Sequence, residues 1–249
     1  MALGYQYLGI CFGRRNDARK AREHYLKALE LFKAAGDRRG LLRATVGLAY
    51  VAGELEPDPA EARRLSEAAL LQARDLGDAE YIAVTAGNFA EVCRADGDWA
   101  AALRFGAESA KLYAAGERWA RAAAQYSAMA HTHAVRGEYQ GAFECMASAW
   151  ELLQRQPVAV HVAWYFEVWF MIAATLEQWE TAATLYGFIG HYRDANDAGR
   201  LQGVLTRIST HVERVFSELG RSRVEELLHA GERLTVEEAQ SLSLSATRA

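Results

Sequence analysis

Cysteine and proline are both scarce in this 249-residue chain, with three of each. Cys11, Cys93 and Cys145 stand far apart and are odd in number, which excludes a disulfide framework and a clustered zinc motif and points to a reducing, cytoplasmic setting. Residues 1–10 lack the basic start, apolar centre and small-residue cleavage site of a secretory signal, so export is not expected. No apolar run makes a convincing membrane span: the most apolar stretch, Val158 to Thr175, carries His161 and Glu167 and reads as a buried helix. A glycine-rich loop ending in Lys-Ser or Lys-Thr is missing, as is any strand pattern that could hold a dinucleotide fingerprint; neither nucleotide hydrolysis nor dinucleotide binding is expected. With a net charge of −4 there is no excess of positive charge to favour nucleic acid or an anionic membrane.

What the chain does contain is a period. Gly36-Asp37, Gly77-Asp78 and Gly116-Glu117, followed by a break at Gln156-Pro157, recur about every 40 residues, an interval typical of helical repeats. A second series, Gly13, Gly53, Gly97 and Gly137 with Gln178-Trp179 in the fifth place, is offset by half a period. Glycine after an apolar-periodic run marks a helix C-terminus, because the residue there adopts positive φ. Two stops per period predict two helices per repeat. Spacings such as Tyr5-Leu8-Phe12 and Ala21-Tyr25-Ala28 place apolar residues on one helix face. Small residues fall where paired helices must approach closely: Gly9, Gly47, Ala90 and Ala130 in first helices, and Ala21, Ala62, Ala102, Ala142 and Ala183 in second ones.

At these residues the chain resembles the tetratricopeptide family. The first repeat matches the family pattern with Tyr5, Leu8, Gly9, Phe12, Ala21, Tyr25 and Ala28, the third with Ala86, Phe89, Ala90, Cys93, Ala102, Gly106 and Ser109, and the fourth with Tyr126, Met129, Ala130, His133, Ala142, Met146 and Ala149. The second repeat carries a short insertion, Glu54 to Asp58, and the fifth, Phe170 to Gly190, matches least. The period exceeds the usual 34 residues and no proline closes each repeat. This longer form, with Glu180 to Gly187, Leu219-Gly220 and Gly231 to Ala239 near its end, resembles the closing segment of large bacterial regulators. In those proteins an effector domain (LuxR-type, antibiotic-regulator or adenylyl cyclase) and an ATPase precede the repeats. The implied fold is an all-α, α-α superhelix of about five helix pairs over residues 1–193, with capping helices over 194–249 packed on it. After the turn cluster Asp194 to Gly199, a helix is expected over Leu201 to Leu219 and a short one to about Ala230, then a last one starting at the capping box Thr235 to Glu238; Ser243 to Ala249 is expected to fray.

Chemistry-bearing residues do not assemble into a local signature of catalysis. His131 and His133, two apart on a helix, point to different faces and cannot grip one metal as an i, i+4 pair can. Cys93 and Cys145 fall in apolar-periodic stretches, as small buried hydrophobes do. Arg14, Arg15, Arg19, Lys20 and Arg22 form a basic cluster without base-stacking groups nearby, a solvated face. Leu234 to Leu242 resembles the first helix of a LuxR-type domain, but no recognition helix follows, so DNA binding is rejected. Neither a catalytic residue, nor a metal, nor a cofactor is therefore assigned.

The family resemblance implies a ligand surface along the first helices. Carried across position by position, it comprises Gln6, Ile10, Ala44, Leu48, Gly87, Asn88, Glu91, Ser127, His131, Val168, Trp169 and Ile172, with Trp164, Tyr165 and Trp169 as an aromatic end. The subclass that clamps a peptide C-terminus uses converging Lys, Arg and Asn; only Asn88 is present, which disfavours that ligand. The expected role is a non-enzymatic interaction or sensor module that binds a peptide, a partner domain or a regulatory segment of its own protein. A sugar-like effector stacked on Trp164 and Trp169 is the alternative, implied by a sugar-responsive activator family of similar architecture. The same aromatics equally suit packing of the fifth repeat onto the C-terminal helices. The crowded first helix, with Tyr5, Tyr7 and Leu8, allows a homodimer through the first repeat, or a chain that is a piece of a longer protein.

Overall fold

The computed structural model describes residues 1–199 and 204–246, and these are helical throughout, with no strand among them. The helices fall into two compact units, Met1–Gly116 and Glu117–Ala249. The first contains α1 (Ala2–Arg14), α2 (Ala18–Ala34), α3 (Arg38–Tyr50), α4 (Pro59–Leu76), α5 (Ala79–Ala95) and α6 (Trp99–Ala115), packed as three successive antiparallel pairs. A π-helical turn, Val51–Leu55, prolongs α3. It absorbs the expected insertion, and Arg22 fastens the segment by pairing with Glu56 at 2.7 Å and Glu61 at 2.9 Å.

Each helix start in this unit after the first is fixed by an aspartate. Asp17, Asp37, Asp58, Asp78 and Asp98 accept hydrogen bonds from the backbone N–H groups of Lys20, Gly40, Glu61, Tyr81 and Ala101, in each case three residues after the aspartate. An acceptor there satisfies one of the helix's unpaired donors. The Gly-Asp rhythm of the sequence is thus a compound signal: at Gly36 and Gly77, glycine with φ near +65° closes one helix and the aspartate after it opens another. Not every expected stop works this way. Gly13 lies inside α1 against the Tyr50 ring, and the left-handed residue is Asn16. Gly53 lies within the π-helical turn, and at Gly116 the positive φ has moved to Glu117.

Second-helix alanines fill the expected role of close contact. Ala21, Ala62, Ala102, Ala142 and Ala183 are all buried. Tyr25 of α2 is buried between Gly9 of α1 and Gly47 of α3, and a Cβ on either glycine would lie within 3 Å of its ring.

The second unit contains α7 (Trp119–Val135), α8 (Tyr139–Arg155), α9 (Ala159–Thr175), α10 (Trp179–Ala195), α11 (Val204–Leu219), α12 (Arg221–Gly231) and α13 (Val236–Ser245). Here α9 is apolar on every side because it is covered on every side, by α7, α8, α10, α11 and α13. Its one acidic residue, Glu167, is buried and neutralised by Arg193 of α10 at 2.8 Å, whose guanidinium also donates to the carbonyls of Ala198 and Gly199. α12 rests on α10 at a glycine contact, Gly187 facing Leu228 and Gly231 facing Thr184, where a methyl group on either glycine would strike backbone. The capping box expected at Thr235 is formed in both directions with Glu238.

Two expectations for this end change. The helix expected from Leu201 is described from Val204; its first residues lie outside the described ones. Ser243 to Ala246, expected to fray, is held instead: Ser243 and Ala246 are buried, and the Gln178 side chain donates to the Ala246 carbonyl at 3.1 Å. Residues 247–249 lie outside the described ones.

Candidate functional site

A groove of about 410 Å³ opens along the first helices of the three pairs in the first unit. Its floor and walls come from Gln6 and Ile10 of α1, Arg43, Val46, Gly47 and Tyr50 of α3, and Tyr81, Val84, Thr85 and Asn88 of α5, with Tyr25 and Leu42 beneath. The contributions of α3 and α5 are each spaced i, i+3, i+4, i+7, so each helix presents one continuous stripe to the groove. Space for these stripes exists because Gly47 has no side chain and Tyr25 fills the layer behind it. Burial raises the Tyr25 phenol to about 12, so it stays neutral and serves as an apolar wall.

Two polar atoms of the groove stand out as uncommitted. Thr85 spends its hydroxyl on the Tyr81 carbonyl, 2.8 Å away. Gln6 Oε1 and Arg43 Nε are buried without a hydrogen-bond partner among the described residues. Buried polar atoms usually have partners, so two orphans at one groove mark a place where a ligand can supply them.

Of the residues expected on a ligand surface, Gln6, Ile10 and Asn88 line this groove. Leu48 is buried beside Tyr25, Val51 and Leu65 in the core between α2, α3 and α4. Ala44 is likewise buried, against Ala28 and Phe32. On α3 the groove is lined by Arg43, Val46, Gly47 and Tyr50 in place of Ala44 and Leu48, and their i, i+3, i+4, i+7 spacing is the signal that marks them. Glu91 lies a turn beyond Asn88 and pairs with Arg94 at 2.8 Å. In the second unit Ser127 and His131 are buried on α7. Trp164, Tyr165 and Trp169 are buried on α9, and the Tyr165 hydroxyl donates to Gln240 of α13 at 2.8 Å. His161, also on α9, is held below its ordinary pKa by burial and then by the charge of Arg121.

The remaining chemistry-bearing residues have structural employment. His133 meets Glu138 at 2.8 Å. Burial pushes the thiol of Cys145 up to about 11 and also raises that of Cys93, which keeps both protonated and unreactive. In the basic cluster, Arg22 and Lys20 are committed to acidic neighbours. Among the described residues no three His, Cys, Asp or Glu side chains are grouped to hold a metal ion, and no helix is long and apolar enough to cross a membrane.

No family model and no curated protein matches the sequence. Among solved structures, a Rap protein complexed with competence and sporulation factor is similar with a TM-score of 0.70 at 12% sequence identity, covering 99% of this chain. This chain spans 66% of that one. At such identity the likeness concerns fold: an all-α, tetratricopeptide-like superhelical repeat, in agreement with the helix pairs above.

Proposed function

We propose that this chain is the interaction module of a bacterial signalling or transcription regulator, and that it binds a peptide or a partner's peptide segment in the groove between α1, α3 and α5 without transforming it. The observation that carries this reading is the lining of the groove: long apolar walls with a few side-chain amides and one guanidinium, a composition that holds a chain by its side chains while pairing its backbone polar groups. A fold shared with a Rap protein that was crystallised with a bound factor supports the same reading. The aromatic residues on which a sugar would stack are enclosed by α13 and the rest of the second unit, so the first-unit groove is the better ligand site. A reducing, cytoplasmic setting accords with three free cysteines, and exposed Leu3, Tyr7 and Leu8 on α1 support contact between two copies through the first pair.

Selection of peptides from a displayed random library on the intact chain tests this. Enriched peptides should bind the wild type and lose at least about ten-fold in affinity to Val84→Trp, which fills the groove. Enrichment of nothing, or of peptides indifferent to that substitution, would overturn the proposal.

A further inference from the structure

α1 lacks a charged face. Its 13 residues carry no charge before Arg14, and its one side-chain amide, Gln6, borders the groove. A helix apolar on all sides is normally covered on all sides, and α9 obeys that rule in this same chain. α1 does not. It packs on α2 and α3 with Gly9 and Gly13 buried, while Leu3, Tyr7 and Leu8 are 50%, 65% and 43% exposed and Cys11 is exposed beside them. Spaced i, i+4, i+5 and i+8, these four lie on one face of the helix. The face runs into Arg14 and Arg15, with Arg19 at the start of α2. All three arginines are exposed and have no ion-pair partner among the described residues, whereas the neighbouring Lys20 and Arg22 are paired.

The chemistry of this face fits a second copy better than a foreign partner. From Leu3 to Cys11 it offers no charge by which one partner could be told from another. Two copies about a two-fold axis need only a patch that matches itself, and each contact is then made twice. The extent of the face agrees. A helix of this length is about 20 Å long, and one side of it hides less than about 600 Å² per copy, the range of weak, reversible association. The arginines decide the direction. Parallel pairing would crowd Arg14, Arg15 and Arg19 of both copies together, whereas antiparallel pairing sends the two groups to opposite ends, further apart than the roughly 8 Å over which charges act in physiological salt. Resting on the two-copy contact proposed above, we infer that α1 pairs antiparallel with α1 of a second copy, crossing near Tyr7 and Leu8, in a weak two-fold dimer. One side of α1 then walls the groove and the other meets the partner.

Sedimentation of the intact chain over about 1–300 µM tests this, and should show a monomer–dimer equilibrium with a Kd of roughly 10–100 µM. Tyr7→Glu and Leu8→Glu, both at exposed positions, should each weaken the dimer at least about ten-fold with helical circular dichroism unchanged. Direction is read by mild oxidation. An antiparallel crossing at Tyr7 and Leu8 sets position 4 of one copy opposite Cys11 of the other and keeps the two Cys11 thiols apart. The wild type should therefore stay unlinked, Gly4→Cys should give a covalent dimer, and adding Cys11→Ser to that variant should abolish it. A wild type that links through Cys11 overturns the antiparallel pairing. A dimer indifferent to Tyr7→Glu and Leu8→Glu overturns the assignment to α1, and a chain that stays monomeric throughout removes the two-copy contact as well. Peptide binding in the groove is read by its own selection experiment and stands or falls separately.

Discussion

Tyr25 connects the sequence pattern to the groove. Its ring occupies the space that Gly9 and Gly47 leave free, and its other edge closes the groove floor. With a glycine on each side the ring has nowhere to retreat. Gly47→Ala should therefore cost about 1–3 kcal/mol through overpacking, outweighing the roughly 1 kcal/mol that alanine gains over glycine in a helix. Gly4→Ala is the matching control, since it lies in α1 with nothing within 4 Å of the added methyl, and should gain stability by the propensity term alone. Urea midpoints of the two variants should move in opposite directions. If both moved upward, the close packing around Tyr25 would not be limiting.

Helix ends in the two units follow different chemistry. Aspartates cap α2 to α6, whereas α7, α8, α9 and α10 begin after Arg118, Glu138, Val158 and Gln178, none of which caps through its side chain. At α7 the acceptor comes from elsewhere: Gln156, in the turn before α9, takes the Ala120 N–H at 3.2 Å. Glu138 gives its carboxylate to His133 and Arg136 instead. Val158 has the extended backbone of a helix cap but an apolar, exposed side chain. Val158→Asp should raise stability by about 0.5–2 kcal/mol, measured as an upward shift of the thermal midpoint. No shift, or a fall, would mean that the start of α9 is already satisfied. The same contrast explains how far the elements were legible. Where glycine and aspartate stand together, as at Gly36-Asp37, the helix break is local chemistry and can be read; where a distant Gln156 supplies the cap, the sequence carries no local mark. Likewise the all-apolar α9 showed that it is buried, but not that α13 and α11 are among the helices that cover it.

Repeat chains hold together by contacts between neighbours, so stability need not be uniform along them. In the first unit the apolar residues form several small clusters built largely from alanines and single rings. In the second, one cluster runs from Ala123 to Ala239 and contains Trp164, Tyr165, Phe166, Trp169, Phe170 and Phe188. The candidate groove was legible in part: Gln6, Ile10 and Asn88 were expected from family positions and line it, whereas Arg43 and Tyr50 were not expected, because the family's positions were carried onto α3 at Ala44 and Leu48 rather than read from its i, i+3, i+4, i+7 series. The uneven core leads to a direct expectation. Of the tryptophans, only Trp99 lies in the first unit, while Trp119, Trp150, Trp164, Trp169 and Trp179 lie in the second. Tryptophan emission therefore reports mainly on the second unit, and helical circular dichroism reports on both. In a guanidinium titration the dichroism signal should begin to fall at lower denaturant than the emission shifts, because the thinly packed first unit opens first. Hydrogen exchange should agree, with amides of α1 to α3 exchanging faster than those of α9 and α10. Coincident transitions by both probes would show instead that the two units unfold as one cooperative block, despite the difference between their cores.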